Sequence, residues 1–336
     1  RDIIVVGASS GGVETLTTVV SGLPQDLNAT LFVVLHVPAR GESLLPQILS
    51  RAGKLPAEHA RDNEPVQKGR IYVAPPDFQL LLQDRVARLV RGPKENNHRP
   101  AIDPTFRTAA RVYGARVVGV VLSGALDDGT AGLAAVKRRG GIAVVQDPKD
   151  ALFPDMPRSA MEAIDIDYCL PKTEIAALLV RLSQASVTAD VAPPVREDLE
   201  MESAIEAMEV EALENGERPG IPSVFGCPDC GGVLWELQDR GLLRFRCRVG
   251  HAFGADGLLA AQSEGLDVAL WTAFRSLEET AALARRLAAR ARKDQRTISA
   301  RMFEKKAQRA ERQAQVIRRA LLHMKNDFPV DPPSKS

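Results

Sequence analysis

Three residues whose types could cooperate in nucleophilic catalysis each follow an apolar run. Ile3–Val6 leads into Gly7, Ala8, Ser9, Ser10, Gly11 and Gly12; Leu31–Leu35 leads into His36; Val117–Leu122 leads into Ser123–Gly129, which contains Asp127 and Asp128. A free serine hydroxyl is a poor nucleophile. A neutral imidazole within hydrogen-bond reach can take its proton, and a carboxylate behind the ring fixes the tautomer and stabilises the imidazolium. Gly7-x-Ser9-x-Gly11 also fits a strand–turn–helix elbow, in which small neighbours permit a strained nucleophile. Helix amides beginning near Ser10 to Gly12 would then face an oxyanion.

Each fragment alone has a plainer reading. A Gly/Ser-rich turn after a first strand commonly cradles a phosphate or dinucleotide. A histidine after a strand is commonly structural, and Asp-Gly is commonly a turn or a cap. Joint placement separates these readings. A dinucleotide site wants Asp or Glu about 20 residues on, at the end of the second strand. That place holds His36, followed by Val37 and Pro38. A nucleotide-dependent dehydrogenase loses its ribose ligand there, and a hydrolase gains its base. The expected triad is Ser9, His36 and Asp128, in a chain order unlike that of the α/β-hydrolases.

The elements that must position these residues read as an α/β pattern. Strands are expected at Ile3–Val6, Leu31–Leu35, Arg70–Ala74, Val86–Val90, Val117–Leu122, Ile142–Val145 and Asp167–Leu170. Several are continuous Val/Ile/Leu runs, as in parallel strands buried on both faces. Helices are expected at Gly12–Leu23, Ser43–Arg51, Pro104–Tyr113, Thr130–Arg139, Pro157–Ala163 and Lys172–Ser183, giving a doubly wound, mostly parallel sheet. An antiparallel patch is expected within Phe78–Val90, turning near Gln83–Asp84. In an open parallel sheet ligands bind beyond the carboxyl ends of the strands, so the three polar residues can converge there.

The chain has 336 residues, which suggests two or three domains. Residues 1–186 read as the catalytic domain and 187–222 as a linker with one solvated acidic helix. Residues 223–262 read as a cysteine-bearing module, and 263–336 as a helical tail, either one long helix or a hairpin breaking near Lys293–Thr297. A hydrophobic share of 45%, a charged share of 26% and a net charge of +1 are ordinary for a globular protein and advertise neither nucleic acid nor membrane. Aromatics at 4% argue against a base-stacking surface. No apolar run approaches the roughly 20 residues of a membrane helix. Cysteine usage fits a reducing cytoplasm. The chain opens on Arg1 rather than Met, so residues can precede it.

On these pieces residues 1–186 resemble the catalytic domain of the chemotaxis protein-glutamate methylesterase family (CheB). The matching segments are Val6–Gly12, Leu35–Pro38, Gly69–Pro75, His98–Asp103, Gly124–Gly132 and Met156–Arg158, all in family order. The resemblance implies demethylation of glutamate methyl esters on chemoreceptors, and deamidation of glutamine there. It implies Ser9 as nucleophile, His36 as base and Asp128 as the orienting acid, with no catalytic cofactor. Asp127 stands where the family usually has Asn. Ser10 stands where it often has Thr, and Ala125 where it commonly has Met, whose main chain belongs to the oxyanion site. Ser10, Gly11 and Ala125 are thus expected at the oxyanion site, and Arg99 beside a substrate carboxylate. Many family members carry an N-terminal receiver domain. This chain opens on the first esterase strand: either a preceding receiver domain is missing from this sequence, or this is a receiver-less relative regulated otherwise, which the chain after residue 186 favours.

Cys227 and Cys230 form a C-x-x-C knuckle, and Cys247 with His251 supplies C-x3-H. Between the pairs, Val233–Leu237 and Leu242–Arg246 read as a hairpin turning at Asp239–Gly241, which is the zinc-ribbon plan; a closed three-thiolate, one-imidazole shell is structural. A redox C-x-x-C is the competing reading. Cys169, at a strand end, reads as an ordinary core residue. Arg240, Arg244, Arg246 and Arg248 form a modest basic patch better suited to a protein partner, or to the esterase domain itself, than to nucleic acid. The basic tail helices read as solvated faces or as a coiled-coil homodimer seam rather than a binding stripe. The leading function is therefore an esterase acting on a chemoreceptor-like protein. The alternative is a catalytically weak regulatory binding module on the same fold, supported by the departures at Ala125 and Asp127 and by the long tail.

Overall fold

The structure is a computed structural model describing residues 1–83, 85–187, 193–195, 197–208, 220–239 and 241–327. It divides into two compact units, Arg1–Leu259 and Ala260–Ser336.

The first unit is built on a parallel sheet of β1 (Ile3–Ala8), β2 (Thr30–Leu35), β3 (Ala57–His59), β5 (Ile71–Val73), β8 (Val117–Val121), β9 (Ile142–Gln146) and β10 (Tyr168–Leu170). Their order is β10-β9-β8-β1-β2-β5-β3. Successive residues of β1 serve two cores. Ile4, Val6 and Ala8 face a layer made by α1 (Gly12–Ser21), α2 (Leu45–Ala52) and α6 (Lys172–Gln184). Ile3 and Val5 face α3 (Ile102–Tyr113), α4 (Thr130–Arg138) and α5 (Asp155–Ala163). Burial on both faces is why the runs do not alternate. The chain winds one way from β1 through β2 and the other way through β8, so the switch point, and its crevice, lies at β1.

A smaller sheet, β4-β7-β6, contains β4 (Glu64–Pro65) and the antiparallel pair β6 (Gln79–Gln83) and β7 (Val86–Val90). The expected turn there falls partly on Asp84, outside the described residues. The sequence reading passed over β3, an edge strand too short to show a run. Cys169, expected in the core, is exposed, because β10 is the outer strand of the sheet.

Beyond the linker, β11 (Ile221–Gly226), β12 (Val233–Asp239), β13 (Leu242–Cys247) and β14 (Ala252–Gly254) form an antiparallel sheet within the first unit. The helix expected to be solvated, α7 (Glu197–Glu206), instead buries Glu202, Ser203, Ile205 and Glu206. Nor do Arg244 and Arg246 form a basic patch. Both are buried, and with Arg107 of α3 they face Glu95, Glu202 and Glu206. Arg240 lies outside the described residues. Asp239 also accepts from Arg244, at 3.0 Å, and pairs with Arg138, so four guanidiniums face four carboxylates. Glu202 is pulled far below the usual carboxylate range: burial opposes its ionisation, and Arg244, Arg107 and Arg246 more than offset that. Removing one partner of a buried ionic cluster leaves an uncompensated charge. Arg107→Ala is therefore expected to lower stability by about 3–5 kcal/mol, measured as a fall in urea midpoint at unchanged slope.

The second unit contains most of α8 (Ala255–Lys293) and α9 (Thr297–Asp327), which break where the sequence reading placed the break. Ala284, Ala288, Ala307 and Ala314 are buried in this hairpin. Arg285 pairs with Glu311 at 2.7 Å, and Arg292 with Glu304.

Candidate active site

Backbone bonds continue past the ends of the central strands and hold their tips in register. The Leu122 amide donates to the Gly7 carbonyl (2.9 Å), Ser9 to Ser123 (2.9 Å) and His36 to Ala8 (3.2 Å). The three residues at those tips meet. His36 Nδ1 lies 3.0 Å from Ser9 Oγ, and His36 Nε2 lies 2.6 Å from Asp128 Oδ2. An ionised carboxylate can only accept, so Nε2 carries the proton and Nδ1 is left to accept from the serine hydroxyl.

Asp128 is 2% exposed and surrounded by donors. The Ile102 amide reaches Oδ2 at 2.8 Å. The amides of Asp103 (3.3 Å) and Gly129 (3.0 Å), with Asn96 Nδ2 (3.2 Å), reach Oδ1. Ile102 and Asp103 open α3, so the carboxylate also sits at a helix N-terminus. Burial works against its ionisation. The hydrogen bond and charge of His36 and the Ile102 amide prevail, and Asp128 is held well below the usual carboxylate range. Asp103, in contrast, is raised by burial and by the charges of Asp128 and Glu95. The two adjacent carboxyls are thus driven apart, the lower pKa falling to the one that meets His36.

The serine turn is fixed from below. Gly11 adopts φ 72° ahead of α1, and a Cβ there would come within 2.9 Å of Ser123 Oγ. That hydroxyl donates to the Ser10 carbonyl at 2.8 Å. Ser123 is held in turn by Gln146 Oε1, which accepts its amide at 2.9 Å. Among the described residues the amides of Ser10, Gly11 and Ala125 meet no protein acceptor, whereas the Gly12 amide closes a turn onto Ser9. Ala125 is half-buried and precedes Leu126, a non-glycine residue at φ 64°. Such backbone strain gathers at functional loops.

Other expectations come out differently. Arg99, expected to meet a substrate carboxylate, is engaged internally: Nε donates to Asp77 at 3.0 Å and Nη1 to the Gly92 carbonyl at 2.7 Å. Asp127 turns away from His36 and accepts from the Gly257 amide at 3.2 Å. Burial, Asp256 and Asp128 push its carboxyl up to about 6. The unfolded carboxyl ionises near 4, so the folded chain carries a penalty that is complete above pH 6 and fades toward pH 4. Asp127→Asn is expected to raise the melting temperature at pH 8 and to leave it unchanged at pH 4. Calorimetry at the two pH values checks this.

Three neighbours had no role assigned from the sequence, although His98 opens one of the family segments. The His98 ring stacks on His36 with centroids 3.6 Å apart. Burial and the nearby His36 lower its pKa to about 4, so it stays neutral beside the base. Asn96 and Gln146 hold the triad acid and the serine loop through side-chain amides. Gln146 left a signal, a polar residue closing the apolar run Ile142–Val145; Asn96 left none.

The four expected metal ligands also converge. The ligand atoms of Cys227, Cys230, Cys247 and His251 all lie within 4.8 Å of one another. Cys230 and Cys247 sulfurs are 3.7 Å apart, and His251 Nδ1 is 3.7 and 3.6 Å from Cys227 and Cys247. A tetrahedral ion at about 2.3 Å from sulfur and 2.0 Å from nitrogen needs edges of roughly 3.8 and 3.5 Å. The donor set therefore fits zinc in both spacing and chemistry.

A doubly wound α/β sheet with a serine, an imidazole and a carboxylate linked across its switch point defines a serine hydrolase of the parallel-sheet class. Residues 4–179 match the family described as CheB methylesterase, and the chain belongs to that family. A putative protein-glutamate methylesterase/protein-glutamine glutaminase of Leptospira interrogans is 39% identical over 184 residues, covering 54% of this chain and 95% of that protein. The Pyrococcus abyssi protein-glutamate methylesterase/protein-glutamine glutaminase is 35% identical over 185 residues, but the chain spans only 50% of its length. The crystal structure of the Thermotoga maritima CheB methylesterase catalytic domain superposes with a TM-score of 0.52 at 34% identity, covering 54% of this chain and 98% of that one.

Proposed function

We propose that the chain is a protein-glutamate methylesterase and protein-glutamine glutaminase acting on a methyl-accepting chemoreceptor or a similar signalling protein. The observation that carries this reading is the continuous hydrogen-bonded line from Ser9 through His36 to Asp128. In the reaction Ser9 Oγ attacks the ester carbonyl as His36 Nδ1 takes its proton. The imidazolium, held by Asp128, returns the proton to the departing methanol and leaves an acyl-serine. Water, deprotonated by the same nitrogen, then releases the glutamate carboxylate and restores the serine. The amides of Ser10, Gly11 and Ala125 are the donors for the oxyanion. For glutamine, ammonia replaces methanol.

Cys227, Cys230, Cys247 and His251 hold a structural zinc, a closed shell with no role in the bond-breaking. No described helix is long and apolar enough to cross a membrane, and we place the activity in the cytoplasm. Exposed Leu266, Val268, Trp271, Ile298 and Val316 on the tail hairpin support pairing with a second copy. The experiment is methanol release from a methylated receptor fragment, with ammonia release from its glutamine form. A folded chain that binds the fragment without turnover would favour the regulatory binding module instead.

A further inference from the structure

Between β7 and α3 runs a segment, Lys94–His98, that touches both the catalytic residues and the cysteine-bearing sheet. Its Glu95 and His98 bond each other through their backbones, and Glu95 pairs in parallel with Ala252 of β14. Asn96 lies at its centre, 3% exposed and at φ 50°. All of its polar groups on one side go to β14: its amide donates to the Ala252 carbonyl (2.8 Å), and its Oδ1 accepts the Gly254 amide (2.7 Å). Its remaining donor, Nδ2, goes to Asp128 Oδ1. Ala252 directly follows His251, whose carbonyl accepts the Cys247 amide at 2.9 Å. One residue therefore separates a metal ligand from the asparagine that holds the triad acid.

Glycine makes this approach feasible. A Cβ on Gly254 would fall 1.9 Å from Asp127 Oδ2, and one on Gly257 would fall 2.8 Å from Asn96 Oδ1. The segment has no regular structure to set its own register, and His98 at its end stacks on His36. Its position is set jointly by the edge of the ribbon, by Arg107 of α3, which pairs with Glu95, and by Gln79, whose Nε2 donates to the Pro93 carbonyl at 3.0 Å.

We propose that Asn96 is a positioning residue through which the metal-bound ribbon sets the Asp128 carboxylate, making the hydrolase depend on a metal that touches neither substrate nor triad. This rests on the hydrolase and zinc readings given above. Asp128 keeps its three backbone donors when the link is cut, so the triad loosens rather than collapses. Residues one layer behind a reacting group typically change rates by about 10–100-fold.

The test uses the full chain with its zinc content measured. The readout is the far-downfield proton resonance of the His36 Nε2–H bonded to Asp128, assigned by its loss in His36→Gln, together with kcat and KM. Asn96→Ala is expected to retain zinc, move the resonance, and lower kcat about tenfold at unchanged KM. Chelation of the wild-type chain is expected to move the same resonance, and chelation of Asn96→Ala to add little, because both act through one link. Gly254→Val, which keeps all four ligands, is expected to reproduce the asparagine variant. The proposal is overturned if chelation leaves the resonance of a folded wild-type chain in place, or if the losses in kcat simply multiply. If the stripped chain unfolds, an unmoved resonance in both zinc-bearing variants overturns it. A chain that binds no zinc removes the link but not the hydrolase. A resonance that moves as expected in a chain without esterase turnover removes the hydrolase but not the link.

Discussion

Ser9→Ala is expected to reduce methyl-ester hydrolysis by roughly 10⁴–10⁶-fold while the melting temperature stays close to that of the parent. The size of the loss follows from what the hydroxyl does. In the proposed reaction it supplies the atom that forms the acyl bond and the proton that His36 removes, so no neighbour replaces it. The small change in stability follows from what it does not do: among the described residues its hydroxyl has one partner, His36 Nδ1, and the serine turn is held by backbone bonds and by Ser123. An organophosphonate should label the parent at Ser9 and fail to label the variant. Ser10, exposed one residue on, is the built-in control. Labelling at Ser10, or parent-like methanol release from the alanine variant, would falsify the assignment of the nucleophile.

What the sequence revealed of this site, and what it hid, divides along a physical line. Ser9, His36 and Asp128 were legible because each follows a strand buried on both faces, and such strands announce themselves as unbroken apolar runs. The sheet rule then places their tips along one edge. The cysteine module was legible because metal ligation imposes short, fixed spacings. Contacts between parts distant in sequence were not legible. Glu202 and Glu206 read as a solvated acidic face, since nothing in α7 itself reports that Arg107, Arg244 and Arg246 will cover it. Arg244 and Arg246 read as a basic patch for the same reason. Arg99 looked available until Asp77, brought close by the turn ahead of β6, occupied it. A local charge pattern cannot say which face is buried when the partner lies 22, 42 or 99 residues away. Asn96 is the extreme case, because an asparagine in a loop carries no periodicity, and its role exists only where two chain segments meet.

Asp128→Asn should cost nearly as much activity as loss of the serine, roughly 10⁴-fold, and it should also destabilise the chain. The carboxylate receives donors on both oxygens: His36 Nε2 and the Ile102 amide on Oδ2, and Asn96, Asp103 and Gly129 on Oδ1. A carboxamide has one oxygen and one NH2. If the NH2 faces His36, it also confronts the Ile102 amide, and it drives the imidazole into the tautomer whose Nδ1–H points at Ser9 and cannot accept a proton. If the NH2 faces the other way, it meets three donors with none of its own acceptor capacity. Either orientation leaves a buried donor opposed to a donor, which costs about 1–3 kcal/mol. The neighbouring substitution, Asp127→Asn, runs in the opposite direction, since it removes a carboxyl that burial already drives toward neutrality. The chemically identical change at consecutive positions is thus expected to stabilise one variant and to disable the other. Methanol release and melting temperature, measured on both variants at pH 8, distinguish the two acids. If instead Asp127→Asn is the inactive one, Asp128 does not orient His36.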